Sequence, residues 1–583
     1  MPTHGGRGRP ARRGLLAALG VVVLGAAACT RTPPAPVASI PEARGGTLYV
    51  LLNNAVSHWD PQRMVAGPER QFALRTFLRT LTTYPPSGAG FSSSLAGDLA
   101  TGTGTPADGG RTWEFTMRQD AKWQDGKQVT CADVKYGVSR NFAREITGGP
   151  AYATTLLDIP VVKDSPGVAA PAYEGPYAGV GQDLFDRAVT CEGSTITFHL
   201  RAPVLDFNQT VSLPSFAPFR KDQDKGAGSN IAVFSSGPYM LEGLWEPGNG
   251  GRFVRNVNWE FLTDPIRSGY PNVIDVREGI ESSTATQRIV DERGKDRFAV
   301  TFAGAPLALQ PELSANASIA PRLTNPNTPE VEYLLPSFRS PVMSNPAVRQ
   351  AFATATNRDA FVNASGGPTA MTPTYSVLAS EIPGHQNLDP FGATSSGDPA
   401  AARRVLARAG VALPVPVRLA YRKSDVADRA FAALKASWDA GGFAVTLEPV
   451  TGSYYRVIGS PDAANRYDVL WASSSADWPS GSTVLPNAFD GRTNLSAEGP
   501  GQDYGYFNDA AVNRAIDAAR LVPAQESRDA AWAQVDLMVA RAGGHIALAQ
   551  HRLMFVHGSG VGSYQDNAVM GGYADLANIQ VPQ

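Results

Sequence analysis

The sequence predicts an α/β protein built from at least two lobes, and three observations carry that prediction. The first is size: 583 residues exceed what one hydrophobic core serves, so the chain divides. The second is the stretch from Trp113 to Arg140. Trp113, Phe115 and Met117 alternate with Glu114, Thr116 and Arg118, the period of a half-buried strand. Asp125-Gly126 supplies a turn, and Thr130 with Asp133 three residues on opens a helix that stacks Val134, Val138 and Phe142. The third is a strand–helix–strand unit. It runs through Val415–Tyr421, a helix from about Asp425 to Ala440 that buries Phe431, Leu434 and Trp438, a stop at Gly441-Gly442, and Phe443–Val450.

Taken in order, the chain opens on a targeting segment. Arg7, Arg9, Arg12 and Arg13 precede the apolar run Leu15–Leu24, which is too short to span a bilayer as a mature helix. Ala26-Ala27-Ala28 then leads to Cys29, an arrangement that resembles a lipoprotein signal, although Ala26 stands where Leu is usual. The resemblance implies a signal peptide over 1–28, with Cys29 the lipidated first residue of the mature chain. Arg12 to Leu16 also resembles a twin-arginine export signal, and plain secretion stays open. Residues 29–45, rich in Pro and Ala, read as a flexible tether. Cys131 and Cys191 remain, and in an exported chain such a pair reads as one disulfide, with two separate buried thiols as the alternative. Closing that loop of about sixty residues stabilises the fold by roughly 4 kcal/mol in the chain-entropy model.

Gly46 to Leu52 reads as a buried strand, followed by a loop with Asn53, Asn54, Ser57, His58, Trp59, Asp60 and Pro61. The Gly-, Pro- and Ala-rich stretch 161–181 reads as a surface excursion, and Thr195–Leu200 as a strand. Asn345-Pro346 opens a helix with a cap and a first-turn proline, and Asp398-Pro399 opens another that ends at Gly410. Tyr467–Ala472 is a strand. Two helices over about Asp509–Leu521 and Glu526–Arg541 are split by Pro523, and His545–Val556 alternates as one strand returning to the first lobe.

Several of these stretches resemble family 5 extracytoplasmic solute-binding proteins, the peptide-type receptors of ABC importers. The matching residues are the Trp113-x-Phe-x-Met-Arg strand, Lys122-Trp123-Gln124-Asp125-Gly126-Lys127, and Thr130-Cys-Ala-Asp133-Val134 leading to Ser139-Arg140. Gly237-Pro238-Tyr239, Arg255-Asn256 and Asn345-Pro-x-Val-Arg-Gln-Ala-Phe352 extend the likeness. The resemblance implies a two-lobed, periplasmic-binding-protein-like α/β fold with two hinge crossings and an enlarged, discontinuous first lobe. Lobe I is expected over 46–335 with 548–583 returning to it, lobe II over 336–547, and the crossings near Leu335 and Ala547. Two crossings permit a hinge motion that buries ligand between the lobes.

The resemblance also points to the cargo site. In peptide-binding members a segment with an Asp, an aromatic and a Pro faces the cleft, and that Asp pairs with the ligand's α-ammonium group. The match here is Asp477, beside Trp478 and Pro479. The other reading is that Asp477 caps its own loop. Trp471, Trp478 and Tyr375 are candidate pocket walls. Asn54 and Trp59 lie on the loop that approaches the cleft, with Trp59 placed either to stack on cargo or to pack beneath the loop. The loop from Gly366 to Pro373 is a candidate for backbone pairing with an extended peptide.

With 51 basic and 53 acidic residues and no basic face, nothing suggests nucleic-acid binding. There is no Gly-x-Ser-x-Gly elbow or His-Glu-x-x-His helix, and Gly102-x-Gly104 precedes a strand rather than a helix. His545, His551 and His557 are too widely spaced along a strand to share a metal. The expectation is a monomeric, non-enzymatic, lipid-anchored receptor outside the membrane, without cofactor or metal, that delivers a peptide-like solute to an ABC permease and its ATPase subunits. Nickel chelates, haem and sugars are the alternative cargoes, and an exported peptide or cell-wall hydrolase is the alternative of a different class.

Overall fold

The structure, a computed structural model, describes residues 44–86, 93–163, 169–496 and 499–582. The expected signal peptide, Cys29 and nearly all of the tether lie outside the described residues.

Three sheets organise the chain. The first has the order Tyr239–Glu246, Gly250–Arg255, Pro271–Arg277, Gly45–Leu51, Ala299–Thr301. Its inner strand Gly45–Leu51 runs parallel to both neighbours and buries Leu48 and Val50 completely, as a strand covered on its faces must. The second is a four-stranded antiparallel sheet containing Thr112–Thr116 and Thr195–His199. Trp113 and Phe115 point into its core, and Glu114 and Thr116 point out. Helix Cys131–Arg140 packs on this sheet, opened by a capping box in which Thr130 and Asp133 satisfy each other's backbone amides. A disulfide joins Cys131 at the helix start to Cys191 on strand Val189–Glu192, with Cα atoms 5.9 Å apart. Gly102 and Gly104 precede strand Thr105–Ala107 of a hairpin with Thr112–Thr116, not a nucleotide-binding helix.

The third sheet has six strands, in the order Met371–Pro373, Ile546–Arg552, Asn327–Pro336, Val469–Ser475, Val415–Arg422, Phe443–Val450. Val415–Arg422 and Phe443–Val450 pair in parallel, with helix Asp425–Ala440 as the crossover. Its Phe431, Leu434 and Trp438 are buried, and Trp438 stacks on Phe352 of helix Pro346–Ala355 at 4.5 Å. Asn345, Asp398, Ser424 and Asp509 cap the helices that follow them.

Leu335 and Ala547 lie inside strands of the third sheet, and the chain links that sheet to the Leu323–Thr324/Phe555–Val556 strand pair through Asn325-Pro326 and Leu553-Met554. The His545–Val556 stretch, expected as one strand, is two. Ile546–Arg552 belongs to the third sheet, and only Phe555–Val556 pairs with Leu323–Thr324. The apolar run Leu553-Met554-Phe555-Val556 spans the interruption, so residue type alone conceals the break.

Candidate functional site

The strand Val469–Ser475 delivers the chain to Asp477. The turn after it is fixed from within: Ser480 accepts from the Ser482 amide, and the Asp477 amide donates to Thr483 Oγ1 at 3.0 Å. Among the described residues the Asp477 carboxylate takes no hydrogen bond from its own loop. It faces residues from the amino-terminal half. Tyr152 Oη donates to Oδ2 at 2.5 Å, and Arg70 Nη1 lies 3.5 Å from Oδ1. The Tyr152 phenol is held well above its ordinary pKa by burial and by the Asp477 charge, so it stays a hydrogen-bond donor.

Tyr152 reaches this position on a short helix, Tyr152–Leu156, after a tight approach of backbone. A Cβ on Gly149 would sit 1.8 Å from the Gln62 carbonyl oxygen, so only glycine permits this path. The Tyr152 ring packs 4.9 Å from that of Trp478. Trp478 is buried, and its Nε1 donates to Asp206 Oδ2 at 3.1 Å; Ser482 Oγ donates to the same oxygen. Residues 152 and 206 thus meet 477, 478 and 482 across more than 270 positions of sequence.

Beside these contacts lies a cavity of about 640 Å³. Tyr152, Tyr333, Tyr455 and Tyr504 give it aromatic walls, Ser473–Ser475 and Asn487 give it neutral polar groups, and Asp477 is its carboxylate. Burial raises the Tyr333 and Tyr504 pKa values, keeping both phenols neutral. Such a wall offers ring faces and neutral hydrogen-bonding groups around one anion.

The other candidate residues lie elsewhere. Trp59 is fully buried in the first core, edge-on to Trp245 at 5.0 Å and Phe77 at 5.4 Å, which resolves its two readings in favour of packing. Trp471 points into the core of the third sheet, 5.2 Å from Phe431, because alternation along its strand sends it away from the Tyr333 face. Tyr375 lies under the Arg358 guanidinium at 4.2 Å and donates to the Ala393 carbonyl. Asn54 is exposed and outside the residues that line this cavity. Met371–Pro373 pairs with His551, Gln550 and Ala549 as an edge strand. Sequence reasoning missed Arg70, Tyr152, Tyr333, Tyr455, Tyr504 and Asp206. Each is ordinary in its local segment, and only the fold brings it to Asp477.

The three histidines have separate partners: His545 bonds Asp536 at 2.9 Å, His551 bonds Glu332 at 2.7 Å, and His557 stacks on Tyr564. Glu330, Glu332 and His551 bring ligand-type atoms within 4.8 Å of one another. Burial raises the Glu332 pKa while His551 opposes it, the pattern of a self-satisfying pair.

Comparison with known proteins decides the family. The description of bacterial extracellular solute-binding proteins, family 5 (middle), matches residues 94–496. The chain belongs to that family. Among solved structures, the clavulanic acid biosynthesis oligopeptide binding protein 2 is 27% identical, with 93% of this chain and 96% of that one covered at a TM-score of 0.82. The unliganded open form of MppA, a periplasmic murein tripeptide binding protein, is 18% identical over 92% and 98% of the two chains at 0.73. DppA from Helicobacter pylori, solved with the peptide STSA, is 16% identical over 93% and 99% at 0.65. No match was found among curated protein sequences. This family 5 member is an extracytoplasmic solute-binding protein with the two-lobed fold of its relatives, and no helix among its described residues is long and apolar enough to cross a membrane.

Proposed function

We propose that this protein captures peptides or peptide-like solutes between its lobes and delivers them to an ABC permease with its ATPase subunits. The observation that carries the reading is the Asp477 carboxylate, placed at the edge of a tyrosine- and serine-lined cavity where residues from the two halves of the chain meet. The peptides and oligopeptides named for the solved relatives agree with it.

The chemistry follows from what Asp477 lacks. Its side chain is 41% exposed, and among the described residues its one cation, Arg70, stands at 3.5 Å rather than in a direct bidentate pair. A peptide α-ammonium entering beside Oδ1 completes the carboxylate's coordination in a site that closure dries. In that setting a charge-assisted hydrogen bond strengthens, and an unpaired carboxylate would oppose closure. Tyr152 holds Oδ2 and fixes the carboxylate plane. The serines and Asn487 offer partners to peptide amides without dictating side chains. Binding needs no catalytic group, and the protein acts here as a receptor rather than an enzyme. The lobes are read as joined at Thr324–Asn327 and Arg552–Phe555, and Cys29 is read as a lipid anchor that keeps the monomer on the outer face of the cell membrane.

Mass spectrometry of small molecules released on denaturing the purified mature protein tests the cargo. Peptides in the released fraction support the reading, and a nickel chelate, haem or sugar replaces it. A thermal-shift series adds a control, because bound ligand raises Tm by mass action. Peptides are expected to stabilise the protein with a free amine and not after acetylation. Loss of the protein from membranes in a Cys29→Ser variant tests the anchor.

A further inference from the structure

We propose that the cleft contains a second chamber, lined by Arg201, Arg520 and Arg528, that takes an acidic group of the cargo. The inference rests on reading the cleft as the cargo site. A cavity of about 340 Å³ adjoins the larger one, and the two share Tyr152, Thr155, Thr483 and Asn487 as walls. A volume of that size is many times the roughly 30 Å³ share of one water, enough for a carboxylate-bearing side chain or chain end.

Its charge is unusual. The three arginines arrive on separate elements: Arg201 follows strand Thr195–His199, Arg520 ends helix Ala510–Arg520, and Arg528 lies on helix Gln525–Ala542. Arg528 is only 5% exposed, yet its Nη1 donates to the backbone carbonyls of Val522 at 2.9 Å and Pro523 at 3.0 Å. Arg201 donates to the carbonyls of Leu157 and Ile159, the latter at 2.8 Å. Carbonyl dipoles hold a guanidinium in place without cancelling its charge. Among the described residues no carboxylate lies within 4.0 Å of Arg201 or Arg528. Arg520 has Asp517 at 3.9 Å, but Arg492 already grips both oxygens of that acid at 2.6 and 2.8 Å.

One acid, Asp206, lines the chamber with these three cations, and it spends Oδ2 on Trp478 and Ser482. Asp529, next to Arg528 in sequence and outside the lining, is pushed up to about 6 by burial even though the Arg528 charge pulls it down, with Asp206 adding to the push. The chamber lining therefore carries more positive than negative charge. A planar oxyanion offsets that excess, because guanidinium forks match carboxylate geometry. With Asp477 receiving an amine on the far side of Tyr152, the cleft reads a cargo that is cationic at one end and anionic along its length.

The test is calorimetry of the mature protein with three free-amine peptides of equal length. One is neutral with an amidated end, one is neutral with a free carboxylate end, and one is amidated with a glutamate side chain. At least one acidic peptide is expected to bind about tenfold or more tighter than the neutral amide, and the favoured one identifies the source of the acid. That advantage is expected to fall at least threefold in Arg520→Gln, whose side chain is partly exposed, and in Arg201→Gln, both first shown to fold by their melting curves. Equal binding of all three peptides, or an advantage unchanged in both variants, overturns the chamber and leaves the peptide reading intact. If no peptide binds, glutarate alone is the probe. A rise in Tm with wild type and not with Arg520→Gln supports the chamber without the peptide reading, and no rise overturns it.

Discussion

Asp98, just after strand Ala96–Gly97, and Asp477, just after strand Val469–Ser475, are both aspartates facing arginine, yet they are set in opposite surroundings. Asp98 lies between Arg79 and Arg267, at 2.7 and 2.8 Å, with all three side chains fully buried. Arg267 also pairs with Asp264 and donates to the Leu74 carbonyl, and Asp264 accepts from Trp259 Nε1. Asp477 has one arginine at 3.5 Å, one tyrosine and an open side. Burial by itself would raise the Asp264 pKa, but Arg267 and Arg79 outweigh it and hold the carboxyl below its usual range. The buried network is closed on itself by ion pairs among Arg79, Arg267, Asp98 and Asp264, away from solvent, and serves as framework. The cleft pair is under-coordinated, which is what a receptor needs before its cargo arrives.

The largest effect is expected in the buried cluster. Arg267→Ala leaves two buried carboxylates short of a partner, and denaturant unfolding should show a loss of about 3–5 kcal/mol. The network also predicts acid sensitivity. Asp264 has a folded pKa of about 2, so its stabilisation is present above the ordinary carboxylate range and is lost as pH falls from that range through about 2, which denaturant unfolding at a series of acid pH values checks.

The next effect has the opposite sign of pH dependence. Asp503 is fully buried, accepts the Phe507 amide on Oδ1, and is pushed up to about 8 by burial, with Asp490 adding to the push. Its folded pKa lies above its unfolded one, so its cost to stability builds as pH rises from the carboxylate range to about 8. Asp503→Asn keeps the acceptor and is expected to melt a few degrees higher than wild type at pH 8, with the difference vanishing near pH 4. This turn presents Tyr504 to the cavity, so the variant also shows whether a stiffer wall changes affinity.

The smallest effect on stability should come from the cleft itself. Arg70→Gln removes a partly exposed pair of the kind worth about 0–1 kcal/mol, so unfolding should barely change. Affinity for a free-amine peptide should rise, because the ligand no longer shares Asp477 with a resident cation. A stability loss as large as that of Arg267→Ala would erase the contrast between the two clusters.

What the sequence discloses follows the range of each interaction. The Thr130–Asp133 capping box, the Asn345-Pro and Asp398-Pro helix starts and the Val415–Val450 unit are set within a few residues, and all stand in the fold as read. Asp477 stands out as a candidate only through family resemblance, and its partner Tyr152 not at all, since 325 residues separate them. Trp59 and Trp478 show the same limit from another side. Both are tryptophans in loops, but one enters the aromatic core and the other bonds Asp206 across the cleft. Nothing in their local sequence distinguishes those fates, because the difference lies in partners supplied from elsewhere in the chain.

The most direct measurement is a thermodynamic cycle between the ligand amine and Asp477. One peptide, free and amino-acetylated, is titrated calorimetrically into wild type and Asp477→Asn. The account predicts that acetylation weakens binding to wild type by about tenfold or more and hardly affects the variant, a coupling of about 1.4 kcal/mol or greater. Equal losses on acetylation in both proteins would show that the amine does not meet Asp477 and would contradict the assignment of this carboxylate as the cargo's anchor.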